Sequence, residues 1–227
     1  MKHFQALKSL LSVYLLALAL CACETDNYDK GEGAYSHMTG DLADLLADSQ
    51  KRGVSFETDD GTSYTLETPT RASFITTADS TYRTSIYYNK VEGGRAKILS
   101  WSIVPTMKPL SPTDFKTQPQ DPVGVESCWL SKNGKYLNLA LLLKNGRDGE
   151  GHEGKHILAL VEDENHKNAD NTHTAYYRLL HSQNGTPEYY TNRRYFSILL
   201  PSTSRPDSVR ITINTYEGTM VKTLKLN

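Results

Sequence analysis

The sequence predicts an all-β protein of two domains that is exported and held to a membrane. Most patterned segments alternate polar and apolar residues, or are rich in β-branched and aromatic residues, as is typical of strands. A proline-rich stretch divides these segments into two groups. The chain also begins with a segment that has the layout of a secretion signal.

Residues 1–22 have the three parts of a signal peptide. Two lysines and a histidine make a positive start, and residues 10–20 form an apolar run shorter than the roughly 20 residues that span a bilayer. Residues 20–23 read Leu-Cys-Ala-Cys, which resembles the lipobox cut by lipoprotein signal peptidase. We therefore expect cleavage before Cys23 and anchoring to a membrane by acyl chains on that cysteine. The alternative is an ordinary secretory signal that ends in cysteines.

Residues 23–33 make up the predicted lipidated cysteine and its tether. The residues after Cys23 are polar and mainly acidic, with no apolar periodicity. Acidic residues at this place are similar to the surface-export signal of Bacteroidota lipoproteins, and a merely soluble linker is the alternative. The expected location is therefore the outer membrane, with the protein facing either the cell surface or the periplasm.

The mature chain is slightly acidic and holds one thiol. Removing Lys2 and Lys8 from the 25 basic residues leaves 23 against 26 acidic ones, a formal net charge of −3. No basic block stands out, so nucleic acid is not an expected partner. After processing only Cys128 remains free, beside Trp129 and Leu130, which excludes an intrachain disulfide and predicts a buried, inert cysteine.

The first predicted domain, residues 34–112, contains a clear hairpin. Residues 54–58 and 62–67 alternate on either side of Asp59-Asp60-Gly61, whose glycine suits the positive φ of a hairpin turn. Residues 41–50 are ambiguous, because their leucines have helical spacing while the residues before them look extended. We predict there a long first strand that runs into a helical or irregular turn.

Two longer strands and a linker follow the hairpin. Residues 81–91 and 96–105 have strand patterns and are separated by two glycines. Between residues 108 and 124 the composition changes to four prolines among serine, threonine, glutamine and aspartate. Such a stretch is not typical of a sheet core, so residues 113–124 are predicted to link the two domains.

The second predicted domain, residues 125–227, has the pattern of a β-sandwich. About seven strands fall in roughly a hundred residues, with turn signals at regular spacing. These strands are residues 126–130, 136–143, 156–162, 173–180, 195–200, 209–216 and 220–226. Residues 139–143 are apolar at every position, which predicts a central strand buried on both faces.

The order of these motifs resembles the NigD-like family of Bacteroidota lipoproteins. The likeness rests on residues 29–36 after the lipobox, residues 58–61 in the first hairpin, residues 136–139 and residues 215–218, and it covers essentially the whole mature chain. The resemblance implies an N-terminal five-stranded OB-type barrel followed by a C-terminal β-sandwich. It also implies a role beside a bacteriocin, in production or immunity, and it brings no catalytic residues to this sequence.

The sharpest indication of an enzyme is an H-E-x-x-H motif at His152, Glu153 and His156. In metalloproteases a helix places two such histidines on one face to bind Zn²⁺, and the glutamate activates water. Here residues 146–156 contain four glycines, each of which costs a helix about 1 kcal/mol relative to alanine. We therefore predict a glycine-rich loop between strands, no catalytic residues and no cofactor. A zinc hydrolase, or weak metal binding by these three side chains, is the alternative.

The hypothesis of a binding protein rests on adjacent tyrosines at 87–88, 176–177 and 189–190. Neighbours in a strand point to opposite faces, so each pair is expected to expose one ring. Exposed rings can stack on sugars or contact the apolar surface of a partner protein. We single out Tyr189, Tyr190, Arg193 and Arg194, in a predicted loop, as possible ligand-binding residues for a protein or glycan. The preference of tyrosine for strands is the alternative explanation.

Two short segments are similar to the Bacteroidota O-glycosylation signal. They are residues 79–81 and 207–209, with Ser80 and Ser208 as the possible acceptors, and chance occurrence of so short a pattern is the alternative. Together these features predict a non-enzymatic, lipid-anchored cell-envelope protein that serves as a binding or assembly module. The resemblance offers a bacteriocin-associated accessory or immunity role as the alternative function.

Overall fold

The computed structural model describes residues 37–163, 166–202 and 205–226. The predicted signal peptide, the lipidation site at Cys23 and the tether up to residue 33 lie outside the described residues. Within the described ranges, none of the helical structure is long and apolar enough to cross a membrane. The secondary structure there consists of strands and one short 3-10 helix at Pro112–Asp114.

The first five strands close into a barrel. They are β1 (Thr39–Ala47), β2 (Gly53–Thr58), β3 (Ser63–Thr70), β4 (Thr81–Val91) and β5 (Arg95–Ile103). Their order around the barrel is β1-β2-β3-β5-β4, with β4 pairing back onto β1. Neighbours are antiparallel except for the short parallel contact between β3 and β5. The predicted OB-type barrel is thereby confirmed.

The ambiguous segment at residues 41–50 forms strand β1 and then a turn, without a helix. Leu45 points into the barrel core and is fully buried. Leu42, on the opposite face of the strand, is also buried, because the sandwich covers the outside of the barrel there. Two buried faces explain why the leucines do not alternate, and pairing with β2 and β4 decides the conformation.

The remaining strands build the sandwich. In the described part of the chain they are β6 (Thr106–Met107), β7 (Pro109–Leu110), β8 (Gly124–Leu130), β9 (Tyr136–Asn145), β10 (Ile157–Glu162), β11 (His166–Lys167), β12 (His173–Ser182), β13 (Tyr190–Leu199), β14 (Ser208–Thr215) and β15 (Gly218–Lys225). One sheet has the order β15-β14-β12-β10-β7, with β11 against β12, and the other has the order β6-β13-β9-β8. All seven predicted strands of this domain are present.

The boundary between the domains lies earlier in the chain than residue 112. Strand β6 pairs with β13, and β7 pairs with β10, so residues 106–110 belong to the sandwich. Within the predicted linker at 113–124, Val123 is buried in the sandwich core, and its N–H donates to the carbonyl of Asn214 at 3.0 Å. The prolines do not prevent this because β6 and β7 are edge strands, where a missing N–H is tolerated.

Strand β9 is buried on both faces, as predicted. Leu137, Leu139 and Leu141 are fully buried in the sandwich core. Asn138 and Ala140, on the other face, are equally buried because the outside of the barrel packs against that face. The apolar run in the sequence therefore reflects one core and one junction between domains.

Candidate functional site

A buried arginine joins the barrel to the sandwich. Arg83 lies on β4, and its side chain is 3% exposed. On the barrel side, its Nη2 is 2.7 Å from Oδ1 of Asp59 and its Nη1 is 3.3 Å from Oδ1 of Asp44. On the sandwich side, its Nε donates to Oγ of Ser197 at 3.0 Å and its Nη2 to Oδ1 of Asn138 at 3.1 Å. We call these five side chains the junction network.

The members of the junction network hydrogen-bond to one another, although Oδ1 of Asp59 is close to Arg83 without accepting a hydrogen bond. Asn138 donates to Oδ2 of Asp59 at 2.7 Å and accepts from the hydroxyl of Ser197 at 2.8 Å. Burial raises the pKa of Asp59, although Arg83 and Asn138 oppose the rise by stabilising the carboxylate. Buried polar groups with this many partners hold a structure together, so the network is a structural link between the domains.

A groove lies where the barrel and the sandwich diverge. It has a volume of about 700 Å³ and opens to solvent. One wall is the edge of β13 at residues 192–196. A second is residues 102–105, at the end of β5 and just beyond it. A third contains Glu153 and His156 from the loop before β10. We call this feature the edge groove.

The wall formed by β13 is an open strand edge. On one side β13 pairs with β9 along its whole length, but on the other it pairs with β6 only at residues 197 and 198. The N–H of Ser197 donates to the carbonyl of Pro105 at 3.0 Å, on the β6 side. Because alternate residues direct their backbone groups to the same side, those of Arg193 and Tyr195 face the edge groove. Among the described residues, no strand pairs with β13 there.

The predicted ligand-binding residues lie around this edge. Tyr190, Arg193 and Arg194 are on β13, so the prediction of a loop there is wrong, because the segment pairs with β9. Both arginines line the edge groove. Arg193 is 3.4 Å from a carboxylate oxygen of Glu126, whereas Arg194 makes no hydrogen bond or ion pair with any described residue. Tyr189, just before the strand, is 77% exposed.

The expectation of one buried ring in each tyrosine pair holds for two of the three pairs. In the pairs at 87–88 and 176–177, the second ring is buried in a core, but the first ring is half-buried and not exposed as expected. At 189–190 both rings are exposed, because only Tyr190 lies within the strand. Neither ring is part of a core, so both are available at the surface near the end of the edge groove.

The H-E-x-x-H motif does not form the helix that zinc hydrolases use. Residues 146–156 form the predicted loop between β9 and β10. The Nδ1 of His152 is 3.3 Å from Oδ2 of Asp148, whereas the Nδ1 of His156 is 2.8 Å from Nε2 of His181. The two histidines of the motif therefore have different partners, and this geometry excludes the zincin site. Within the described ranges, no three or more histidine, cysteine or acidic side chains are arranged to hold a metal ion.

Close packing explains two of the four glycines of this loop. A β-carbon on Gly146 would lie 2.8 Å from both Pro187 and Tyr189, and one on Gly154 would collide with the side chain of Thr186. The loop therefore lies directly against the segment that precedes β13. This contact keeps the loop in place as a wall of the edge groove.

Three other residues singled out from the sequence lie apart from the groove. Cys128 is buried on β8 as predicted, and burial raises its pKa to about 11. The hydroxyl of Ser80 donates to the carbonyl of Ala78 at 2.9 Å, in the turn before β4. The hydroxyl of Ser208 is 2.8 Å from that of Thr174, so glycosylation of Ser208 would have to break this contact. O-glycosylation at either serine stays a prediction.

Three solved structures are similar to the chain. A NigD-like immunity protein from Bacteroides caccae is 24% identical, with a TM-score of 0.60 over 81% of this chain and 91% of its own. A protein from Parabacteroides distasonis described as toxin-related is 15% identical, with a TM-score of 0.62 over 84% and 93%. A protein from Bacteroides fragilis described as a lipoprotein is 13% identical, with a TM-score of 0.53 over 83% and 96%. At these identities the likeness shows the fold alone.

A family model identifies the family, which the solved structures do not. No curated protein matches the chain. The NigD-like C-terminal beta sandwich domain matches residues 106–227, which is more than half of the chain. The match begins at β6, where the strand pairing also places the start of the sandwich. The chain therefore belongs to the NigD-like family.

Proposed function

We propose that this protein is a non-enzymatic, lipid-anchored binding module of the cell envelope, which takes an extended polypeptide segment as an added strand on β13. The anchor is Cys23, as the lipobox predicts. A solved structure of the same fold is described as a lipoprotein, which supports the envelope location. The H-E-x-x-H motif lies in a loop and not on the helix that zinc hydrolases use, which supports a non-enzymatic role.

The observation that carries the binding mode is the open edge of β13. An exposed edge presents unpaired N–H and C=O groups, and extended peptides bind such edges by adding a strand. Strand β6 already makes this kind of contact at Ser197 and Ile198. The residues just before β6 do not pair with β13. The N–H of Val104 donates instead to the carbonyl of Arg83 on the barrel. The edge groove is the space left by this change of partner.

The charges at the groove favour an acidic segment. Arg194 has no acidic partner among the described residues, and the contact between Arg193 and Glu126 is exposed and therefore weak. Glu153 is the opposing carboxylate, and its side chain is 64% exposed. A glycan can stack on Tyr189, but it does not form the ladder of backbone hydrogen bonds that an extended peptide forms with a strand edge. The edge geometry therefore favours a protein partner.

Phage-displayed random dodecapeptides selected on the purified protein should be enriched in acidic, β-prone sequences. Arg193→Pro should weaken the binding of a selected peptide at least tenfold, because proline removes an N–H that faces the groove. Arg193→Ala is the matched control, which removes the same charge but keeps the N–H, and it should weaken binding only a few-fold. Fluorescence anisotropy gives both dissociation constants.

Circular dichroism of each variant shows whether β13 is still folded. The strand-addition proposal is wrong if no peptide is enriched, or if Arg193→Pro binds a selected peptide as tightly as Arg193→Ala. Binding to a glycan array that depends on Tyr189 and survives Arg193→Pro would identify a sugar ligand in place of a peptide.

A bacteriocin-associated role is the second candidate function, and the solved structures described as an immunity protein and as toxin-related favour it. Deleting the gene in its own host should then sensitise the cells to the bacteriocin or stop its production. Wild-type protein should restore the phenotype, and Cys23→Ala should not, because the anchor is lost. Unchanged sensitivity and production in the deletion strain would rule this role out.

A further inference from the structure

Two histidines meet end to end beside the edge groove. The Nδ1 of His156 is 2.8 Å from Nε2 of His181, and the planes of the two rings are nearly parallel, at an angle of 13°. The other nitrogen of each ring contacts a backbone carbonyl. Nε2 of His156 is 3.0 Å from the oxygen of Lys144, and Nδ1 of His181 is 3.0 Å from the oxygen of Asp121.

These three contacts need three hydrogens. A carbonyl oxygen only accepts, so the outer nitrogen of each ring must carry a hydrogen. A neutral imidazole has one N–H, so two neutral rings leave two bare nitrogens facing each other at 2.8 Å. Turning either tautomer round leaves a bare nitrogen against a carbonyl instead. One additional proton completes all three hydrogen bonds.

We propose that His156 and His181 form a proton-binding site that holds one shared proton, and therefore one positive charge, at neutral pH. In the hydrogen-bonded form, His181 donates through Nδ1 to the backbone carbonyl of Asp121 and through Nε2 to Nδ1 of His156. His156 accepts at Nδ1 and donates through Nε2 to the backbone carbonyl of Lys144. The pair has room for one extra proton only, because a second would set two N–H groups against each other.

The surroundings agree with a single charge. Burial and the charge of His181 lower the pKa of His156, which keeps that ring neutral while its partner is charged. The charged groups nearby come from every adjoining element. They are Asp121 before β8, Lys144 on β9, Glu153 in the loop, Glu188 before β13 and Arg194 on β13. The three hydrogen bonds, and not these charges, favour the bound proton.

The shared proton connects the loop wall of the edge groove to the sandwich. His156 ends the loop at residues 146–156, and His181 is 2% exposed on β12. A site that holds its proton more tightly in the folded chain stabilises the fold at low and neutral pH, and this stabilisation is lost as the pH rises and the proton leaves. The inference is independent of the proposed peptide binding, since it concerns the pair alone.

Nitrogen-15 NMR of the histidine rings in the purified chain tests the proposal directly. At about pH 7, three of the four ring nitrogens of the pair should carry a hydrogen, and on raising the pH the count should fall to two. Exposed His152, whose Nδ1 contacts Asp148, serves as the spectral control for a histidine outside the pair. A count of two at about pH 7, or of four, would overturn the proposal.

A second measurement follows the same proton through stability. The unfolding equilibrium constant of the wild type, divided by that of His156→Phe, should rise by up to tenfold per pH unit across the range in which the pair loses its proton. A ratio that stays flat from about pH 6 to about pH 9 would contradict the proposal. If His156→Phe does not fold, the NMR count on the wild type still decides.

Discussion

Replacing Arg83 with methionine should lower the free energy of unfolding by about 3–5 kcal/mol. Methionine fills much of the space but leaves Asp59 without a cation and Asp44 with only the partly exposed Lys135. It also removes the hydrogen bonds that Arg83 donates to Ser197 and Asn138 across the junction. The large effect comes from the uncompensated carboxylates more than from the lost attraction, because breaking a buried pair leaves a charge in a poorly solvated place.

Urea denaturation followed by circular dichroism measures this loss. Arg193→Met is the matched control, because it removes an arginine whose ion pair with Glu126 is exposed on both sides. It should leave the midpoint of unfolding almost unchanged. Equal midpoints for Arg83→Met and Arg193→Met would mean that the junction network does not stabilise the fold.

The same network gives the loss a pH dependence of defined sign. Burial raises the pKa of Asp59 in the folded chain, so the folded chain binds a proton there more readily than the unfolded chain does. Such a group lowers the free energy of unfolding at pH values above its folded pKa, and this loss disappears as the pH falls and the group takes up its proton. Arg83 opposes this rise, so its removal raises the pKa of Asp59 further, and the stability that Arg83→Met loses should shrink as the pH is lowered. Adding Asp59→Asn should recover part of it already at pH 7.

The strands were predictable because their signals are local. Alternation together with β-branched and aromatic residues predicts a strand at residues 81–91, and the structure gives the same bounds for β4. The turn at Asp59-Asp60-Gly61 was equally visible, and Gly61 has the expected positive φ of 87°. Each of these features depends on neighbouring residues along the chain, so the sequence carries enough information to locate it.

The junction network was missed because it depends on packing between the domains. Arg83 lies on a barrel strand, and nothing in the local sequence shows that the sandwich covers its side chain. Asn138 held the one available signal, since an amide inside the apolar run of β9 needs a buried partner. Which partner it finds is a non-local question, because 55 residues separate it from Arg83.

The edge groove and the histidine pair were hidden for the same reason. Arg193 and Arg194 were picked out by residue type, but the open edge beside them exists only because the chain before β6 turns away to the barrel. His156 was read together with His152, four residues away, as the motif suggests. Its actual partner, His181, comes from β12 and is 25 residues further along the chain.

Truncating Leu139 to alanine should cost about 2–5 kcal/mol of unfolding free energy, because it opens a cavity at the centre of the sandwich. Leu139 is fully buried on β9, between Phe196 on β13 and Cys128 on β8. Leu199→Ala is the matched control, since the same truncation at a 44% exposed leucine of β13 creates no enclosed cavity. Its effect on unfolding should stay within about 0.5 kcal/mol.

Cys128 offers a second measurement of the same cavity without denaturant. With Cys21 and Cys23 replaced by serine it is the chain's one thiol, and burial raises its pKa to about 11, so in the native state it should react very slowly with a thiol reagent. Labelling then reports opening of the sandwich. A loss of about 2 kcal/mol or more in Leu139→Ala should speed labelling at least 30-fold when opening is global and rapidly reversed. If Leu139→Ala and Leu199→Ala are labelled at the same rate, the core around β9 repacks without a cavity, and the expected loss of stability does not occur.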